Sequence, residues 1–507
     1  MNNSNKQIKY GAIISYISII INILISLIYL PWMVSAIGKS QYALYSLAGT
    51  FINIFLVDFG LSQATSRFLA KYRADNDREK EEKFISLVIK LYLIIDIIIF
   101  VILLILFFLI DNIYTGLTIE EIEVYKKLYI IVACYSIISF PFMPLSGILE
   151  SNERFVSLKI CGLGQKILSV VLTIIGLLLG ADVIFLVLAN AVSGIIFVII
   201  KLILTSKILP FKMKKENDKK LLKTIFSFSI WVTISSIFSR IIFNLAPTLL
   251  GIFSNSTEIA LFSTASAIEG FFYTFAAAIN GLFLPKISRY IANKEDNKIF
   301  NLMLKVGKYQ MSVLGLIFIG LICIGKDFFA CWMGKGFENA AICAIVILIP
   351  DILTYSQQIA NTEAVAKGLV KYQGMFAIVQ AVVYCIFSIL LCRIIGSLGI
   401  AISISLAYLI NFILMNVFVF YKKLKIDIFK FYKACYLSYL LPYSITGLLG
   451  YWICNNIILI GGWKGLIIKA IIITVLYIIM VLVLAFNKNE KVNIKNKINS
   501  FLNEKLK

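Results

Sequence analysis

The segment IIDIIIFVILLILFFLI, residues 94–110, decides the fold class, because Asp96 is its only charged residue. A run this long and apolar suits a helix that crosses the hydrocarbon core of a bilayer, which takes about 20 apolar residues. The whole chain of 507 residues has the same character, with 60% hydrophobic and 15% charged residues. A soluble domain carries about 25% charged residues. The sequence therefore predicts an all-α, multi-pass membrane protein.

Apolar runs of similar length recur along the chain and predict fourteen transmembrane helices. Their predicted limits are 10–34, 42–65, 84–110, 128–149, 160–181, 183–205, 225–253, 258–284, 303–325, 340–366, 373–395, 397–421, 431–454 and 465–486. With this count, 38 of the 48 Lys and Arg residues fall on one side of the membrane and eight on the other. The side rich in Lys and Arg is normally cytoplasmic, which places both termini in the cytoplasm. We expect the protein to lie in the cytoplasmic membrane. The net charge of +21 therefore requires no nucleic-acid partner.

An internal repeat divides the chain. Ala43-Leu44-Tyr45-Ser46 recurs as Ala260-Leu261-Phe262-Ser263, and Arg154-Phe155 recurs as Lys371-Tyr372, both at an offset of 217 residues. An even number of spans per repeat predicts two parallel six-helix lobes, with two extra helices at the C-terminus. The predicted domains are an N-lobe (1–206), a basic cytoplasmic linker (207–224), a C-lobe (225–421), and the last two spans with a basic tail (422–507).

The chain lacks the residues that several kinds of catalytic, metal-binding or nucleotide-binding site require. The chain has no histidine, its nine cysteines form no CxxC pair, and it contains no GxxxxGK[ST] phosphate loop. We therefore predict no metal, no cofactor and no enzymatic activity. The longest predicted outer loop, about Asp111 to Lys127, is short for the catalytic loop or domain of a membrane glycosyltransferase or polymerase. That class is the less favoured alternative.

Arg240 lies mid-way along span 7 and shares one helical face with Asn244, as well as with Thr233 and Ser236. Glu269 occupies a similar polar face of span 8, and the two charges lie at nearly the same predicted depth. Charges at bilayer depth normally face a cavity or a partner. Arg240 and Asn244 are thus candidates to bind the substrate, with Glu269 as a cavity or ion-coupling residue. The alternative is a buried ion pair between Arg240 and Glu269.

Other polar residues within the predicted spans extend this set. Lys166 in span 5 is a candidate to line the N-lobe cavity. Span 10 is the most polar, and we predict that three of its residues, Gln357, Asn361 and Glu363, line a hydrated substrate path. The candidates for gating or ion coupling are Asp58, Arg67, Glu269 and Glu363.

Three motifs resemble those of a known family. They are Gly38-Lys39-Ser40-Gln41-Tyr42-Ala43-Leu44-Tyr45, then Asp58-Phe59-Gly60-Leu61 with Arg67, and Pro285-Lys286-Ile287-Ser288-Arg289. The chain resembles the polysaccharide flippases, the Wzx-like O-antigen or capsule transporters of the MOP exporter superfamily. The resemblance implies alternating access that moves an undecaprenyl-diphosphate-linked oligosaccharide from the inner to the outer leaflet. It also implies as partners this substrate, membrane lipids, and a polysaccharide polymerase with export proteins.

Two relatives within the superfamily supply alternatives. Lipid II flippases also reach fourteen spans, but they place several basic residues in the N-lobe cavity, whereas span 1 of this chain contains no Lys or Arg. Drug and cation exporters usually have twelve spans, and the motif around Asp58 fits the flippases better.

Overall fold

All regular secondary structure in the described part of the computed structural model is helical. The structure describes residues 3–55, 61–75, 77–208, 237–238, 242–280, 283–457, 460–486 and 491. The α-helices are α1 (Asn3–Ile37), α2 (Lys39–Phe55), α3 (Leu61–Ala74), α4 (Arg78–Ile113), α5 (Ile119–Ser139), α6 (Pro144–Ser151), α7 (Phe155–Leu178), α8 (Val183–Ser206), α9 (Ile242–Phe253), α10 (Ser256–Asn280), α11 (Leu284–Ala292), α12 (Asp296–Met333), α13 (Ala340–Ser356), α14 (Gln358–Ala366), α15 (Val370–Leu414), α16 (Ile428–Tyr432), α17 (Ser438–Asn456) and α18 (Gly462–Met480). Short 3-10 or π-helical segments lie at Phe140–Phe142, Met415–Tyr421, Lys433–Leu437 and Val481–Ala485. The predicted all-α architecture is confirmed.

Nine helical stretches within the described ranges are long and apolar enough to cross a membrane, or ten if the bent pair α13 and α14 forms one span. One stretch, Val370–Tyr421, has 52 residues. At 1.5 Å per residue it measures about 78 Å, against a hydrocarbon core of about 30 Å. It leaves helical geometry at Ile395 and Gly396, where the sequence predicts a boundary between two spans. The exact number of fourteen spans remains a prediction, compatible with these helices.

Proline residues explain one of the two broken spans. Predicted span 4 is interrupted where α5 ends at Ser139 and the Phe140–Phe142 turn, with Pro141, precedes α6. Proline has no backbone N–H to continue the hydrogen-bond ladder, which accounts for this break. Span 10 differs, because α13 continues through Pro350. The 53° bend lies at Gln357, whose φ of −97° and ψ of 15° leave helical geometry.

The described helices form two units. The first unit comprises Met1–Thr264 with Gln373–Ala407, and the second comprises Ala265–Tyr372 with Tyr408–Lys507. In the first unit α7 packs on α1 and α8, and α5 packs on α2 and α8. In the second unit α12 packs on α13, α17 and α18. The predicted division into an N-lobe, a linker and a C-lobe remains a prediction.

A contact in the first unit connects equivalent positions of the internal repeat. The hydroxyls of Ser46 on α2 and Ser263 on α10 lie 2.6 Å apart, within hydrogen-bonding distance. These are the serines that end the repeated Ala-Leu-Tyr/Phe-Ser motif, 217 residues apart. Equivalent positions touch each other only close to the axis that relates two repeats. The contact is therefore the arrangement expected where the repeats meet.

Candidate functional site

Two acidic side chains lie close together inside the second unit. Asp351 on α13 is 1% exposed, and its Oδ2 atom has no hydrogen-bond partner within the described part of the chain. Glu269 on α10 is near enough for its charge to act on Asp351. The Tyr355 hydroxyl donates a hydrogen bond to Oε1 of Glu269 at 3.3 Å. Two carboxyl groups and a phenol thus lie near one another, with Asp351 and Tyr355 buried and Glu269 half-buried.

The spacing of residues on the two helices explains why these groups meet. Asp351 and Tyr355 are four residues apart on α13, and Glu269 and Tyr273 are four apart on α10, so each pair shares one helical face. The Tyr355 ring contacts two aromatic rings of α10, those of Phe272 at 6.2 Å and Tyr273 at 5.8 Å between centroids. This aromatic contact holds the two acid-bearing faces together.

Asp351 is the residue of this group that the sequence analysis missed. It follows Pro350 in the apolar run AIVILIPDIL, where a lone acidic residue is itself a sign of a functional position. Two carboxylates repel each other strongly in a medium of low dielectric constant. A proton or a cation that binds between Glu269 and Asp351 relieves this repulsion. The arrangement can therefore bind and release a positive charge inside the second unit.

Two of the three candidate residues in span 10 form side-chain hydrogen bonds with other residues of the chain. The side-chain amide of Gln357 donates to Oδ1 of Asn416 at 2.9 Å and accepts from Nδ2 of Asn416 at 3.0 Å. Glu363, which is buried, accepts a hydrogen bond from Nζ of Lys367 at 2.6 Å. Asn361 is half-buried on α14. The geometry thus assigns Gln357 and Glu363 packing roles alongside any contact with a substrate.

The remaining candidates belong to the first unit or lie outside the described residues. Lys166 is exposed on α7, and within the described residues the structure records no ion pair for it. Asn244 is half-buried on α9. Arg67 belongs to α3, but its side chain lies outside the described part, as do Asp58 and Arg240 as a whole. The predicted proximity of Arg240 and Glu269 therefore stays a prediction.

The sequence is similar to one protein family and to one curated flippase. The family of polysaccharide biosynthesis proteins matches residues 8–290. The probable low-salt glycan biosynthesis flippase Agl15 of Haloferax volcanii is 20% identical over 202 residues, which cover 40% of this chain and 43% of that protein. The chain therefore aligns with less than half the length of this curated relative.

Two solved structures share the fold. The lipid II flippase MurJ in an inward closed conformation matches with a TM-score of 0.72 and 16% identity, over 93% of this chain and 98% of that one. An inward-facing multidrug resistance transporter of the MATE family, in the MOP superfamily, matches with a TM-score of 0.65 and 16% identity, over 79% and 93% of the two chains. At this identity the likeness concerns the fold alone. The MOP-type fold predicted from the motifs is confirmed.

Proposed function

Because the chain belongs to the family of polysaccharide biosynthesis proteins, we propose that it is a flippase for an undecaprenyl-diphosphate-linked oligosaccharide. It moves this lipid from the inner to the outer leaflet of the cytoplasmic membrane, for the synthesis of a cell-surface polysaccharide. The family match over residues 8–290 is the observation that carries the proposal. The relatives named above are flippases or transporters, which favours a carrier over an enzyme.

Alternating access is the mechanism that suits a repeated fold. Two repeats related by one axis can expose a central path first to one side of the membrane and then to the other. The hydrogen-bonded pair of Ser46 and Ser263 supports an axis between α2 and α10. Both termini are cytoplasmic in this proposal, as the distribution of Lys and Arg indicates.

The acid pair of Glu269 and Asp351 is our candidate for ion coupling. Buried ionisable groups are costly within a membrane and usually serve function. A proton or cation enters between the two carboxyl groups in one state of the transporter and leaves in the other. Because the pair then differs in charge between the two states, an ion gradient or the membrane potential can drive the cycle. Tyr355 holds Glu269 in place through its hydroxyl.

Cationic and polar residues are our candidates for binding the head group of the substrate. A diphosphate is bound best by Arg and Lys, and sugar hydroxyls by amides. Arg240 and Lys166 supply the cations, and Asn244 and Asn361 supply amides. In this scheme the polymerase and export proteins act on the product in the outer leaflet.

A lipid II flippase is the second candidate, because the MurJ structure matches 93% of this chain. The decisive experiment uses a strain that lacks this protein. We expect undecaprenyl-diphosphate oligosaccharide to accumulate in the inner leaflet and the surface polysaccharide to disappear. Accumulation of lipid II instead would establish the second candidate, and a change in drug sensitivity alone would indicate an exporter.

The coupling role is tested by complementing that strain with isosteric variants. We expect Glu269→Gln and Asp351→Asn to insert normally into the membrane and to restore no surface polysaccharide. The matched control is Asp327→Asn, since Asp327 is a half-exposed acid paired with Lys469 at 2.6 Å. It should restore polysaccharide as wild type does. Full restoration by both Glu269→Gln and Asp351→Asn would exclude the coupling role.

A further inference from the structure

An apolar groove of about 380 Å³ runs between α1 and α7 in the first unit. Five residues of α1 between Leu24 and Trp32 form one wall, and Val170 and Ile174 of α7 form the other. All of these side chains are aliphatic or aromatic. Leu24 is 51% exposed and Ile28 is 71% exposed, so the α1 wall is open to the outside. The groove therefore suits a hydrocarbon chain that enters from the lipid.

A polar contact joins the two helices next to the groove. The hydroxyl of Tyr29 on α1 interacts with the hydroxyl of Thr173 on α7, next to the lining residue Ile174. Thr173 also donates a hydrogen bond to the Ser169 carbonyl at 2.8 Å within its own helix. The two helices thus pack directly on each other beside the groove. The shape is built into the packing of α1 on α7.

A cation continues the groove at one end. Lys166 lies one turn before Val170 and two turns before Ile174, and the spacing of four residues places all three on one face of α7. The side chain of Lys166 is exposed, and the described residues offer it no recorded ion pair. A positive charge followed by an apolar groove is complementary to a phosphate that carries a hydrocarbon chain.

The depth of Lys166 distinguishes between phosphate lipids. It is six residues beyond residue 160, the predicted start of span 5, and therefore about 9 Å inside a hydrocarbon core of about 30 Å. The phosphate of a resident phospholipid lies at the membrane surface, outside the hydrocarbon core and about 9 Å from the backbone of Lys166. A phosphate reaches Lys166 when its lipid is in transit between the leaflets. The occupant that fits is the transported lipid itself.

We propose that the groove between α1 and α7 binds the polyprenyl chain of the substrate while Lys166 binds its phosphate. This inference rests on the proposed flippase function and adds the place where the lipid chain is held. The groove extends from Lys166 toward the C-terminal end of α7, which is the outer side in the predicted topology. A chain in this position points outward with its head group toward the cytoplasm, so the groove holds the substrate before it reorients.

The test is photo-crosslinking of the full-length protein in phospholipid nanodiscs. One probe is undecaprenyl diphosphate with a diazirine in its chain, and the comparison probe is phosphatidylglycerol with a diazirine in an acyl chain. We expect the polyprenyl probe to label peptides that contain residues 24–32 and 170–174. Unlabelled undecaprenyl diphosphate should compete for this labelling. Equal labelling by phosphatidylglycerol without competition would overturn the proposal, because the groove would then hold resident lipid.

Variants separate the chain site from the phosphate site. Ile28→Trp fills the groove, and Leu24→Trp repeats the test should the first variant fold poorly; both should abolish the specific labelling. Loss of a charge-assisted hydrogen bond in Lys166→Gln should reduce labelling about tenfold, and Lys166→Arg should retain it. Ile175→Trp is the matched control, since Ile175 is an exposed residue of α7 outside the groove. Labelling of Ile28→Trp and Leu24→Trp at the wild-type level would overturn the chain site.

The same variants distinguish failure of this inference from failure of the proposed function. If wild type restores surface polysaccharide to the deletion strain and the groove variants restore it equally well, the inference fails and the function stands. If wild type moves no lipid-linked oligosaccharide, the proposed function fails, whatever the probes label. We expect wild type and Ile175→Trp to restore polysaccharide, and Ile28→Trp and Lys166→Gln to restore little.

Discussion

Substitutions in the amide pair of Gln357 and Asn416 test whether Gln357 stabilises the second unit or contacts the substrate. The sequence predicts Gln357 as a substrate-binding residue, whereas the structure gives its amide a partner 59 positions away. Replacing both residues with leucine removes the two polar groups together. If the pair serves packing alone, the double variant keeps both its fold and its transport activity.

The expected size of the effect follows from the geometry. Both residues are buried, at 2% and 4% exposure, and they exchange two hydrogen bonds of 2.9 and 3.0 Å. Hydrogen bonds between helices in membrane proteins contribute about 0.6 kcal/mol on average and about 1.7 kcal/mol at most. Two of them contribute about 1 to 3 kcal/mol, so Gln357→Leu or Asn416→Leu alone should destabilise by about that amount. The double variant should lose no more than either single variant, because neither side-chain amide of the pair is left without the other.

The assay is equilibrium unfolding of the purified protein by sodium dodecyl sulfate, followed by tryptophan fluorescence. Gln358→Leu is the matched control, since Gln358 is the neighbouring half-buried glutamine, and it should change stability by less than about 0.5 kcal/mol. Additive losses in the two single variants would refute the pairing argument. A stable double variant that transports nothing would instead show that the Gln357 amide contacts the substrate.

Three further predictions concern a turn, a helix cap and the predicted cavity cation. Gly396→Ala should destabilise by about 1 to 3 kcal/mol in the same unfolding assay, because Gly396 has a φ of +55° and an added Cβ would lie 2.7 Å from a carboxylate oxygen of Glu258. Hydrogen bonds from Lys80 hold the pKa of Asp77 below its usual range, so this N-cap of α4 stabilises the helix above the unfolded-state pKa and loses its effect as the pH falls through the folded-state pKa. Hydrogen exchange at the start of α4 should show this pH dependence in wild type and lose it in Asp77→Asn. Arg240→Ala should insert into the membrane but restore no surface polysaccharide, and Arg240→Lys should restore part of it; wild-type activity of Arg240→Ala would exclude a cavity cation, and loss of folded protein would favour the ion pair with an acid.

Much of the fold could be predicted because apolar length and proline chemistry act locally. The run at residues 94–110 lies within α4, and Pro141 marks the break between α5 and α6. Pro350 shows the limit of this reasoning, since α13 accommodates it and bends only at Gln357. A proline removes one backbone donor, and the surrounding helices decide whether the chain bends there.

The candidate site could be predicted only in part, because its contacts join distant positions. The pair of Glu363 and Lys367 is four residues apart, and such a spacing is readable from sequence. The proximity of Glu269 and Asp351 depends on how α10 packs against α13, which no local pattern encodes. In predicted span 10 the polar cluster after residue 356 is the stronger sequence signal, and Asp351 is a single acid in an apolar run.

The repeat indicates that the charged residues of the two halves have different tasks. At the offset of 217 residues, the positions equivalent to Glu269 and Asp351 are Ile52 and Cys134, and the position equivalent to Lys166 is Val383. The helical fold that the halves share therefore does not require these charges. A charged side chain within a membrane raises the insertion free energy by about 2.5 to 3.5 kcal/mol. Each of these charges imposes that free-energy cost in one half of the chain only. If Lys166 in the first half binds the phosphate and the acid pair in the second half binds the coupling ion, a function explains why each half retains its costly charges. Transport then requires that the two halves move together.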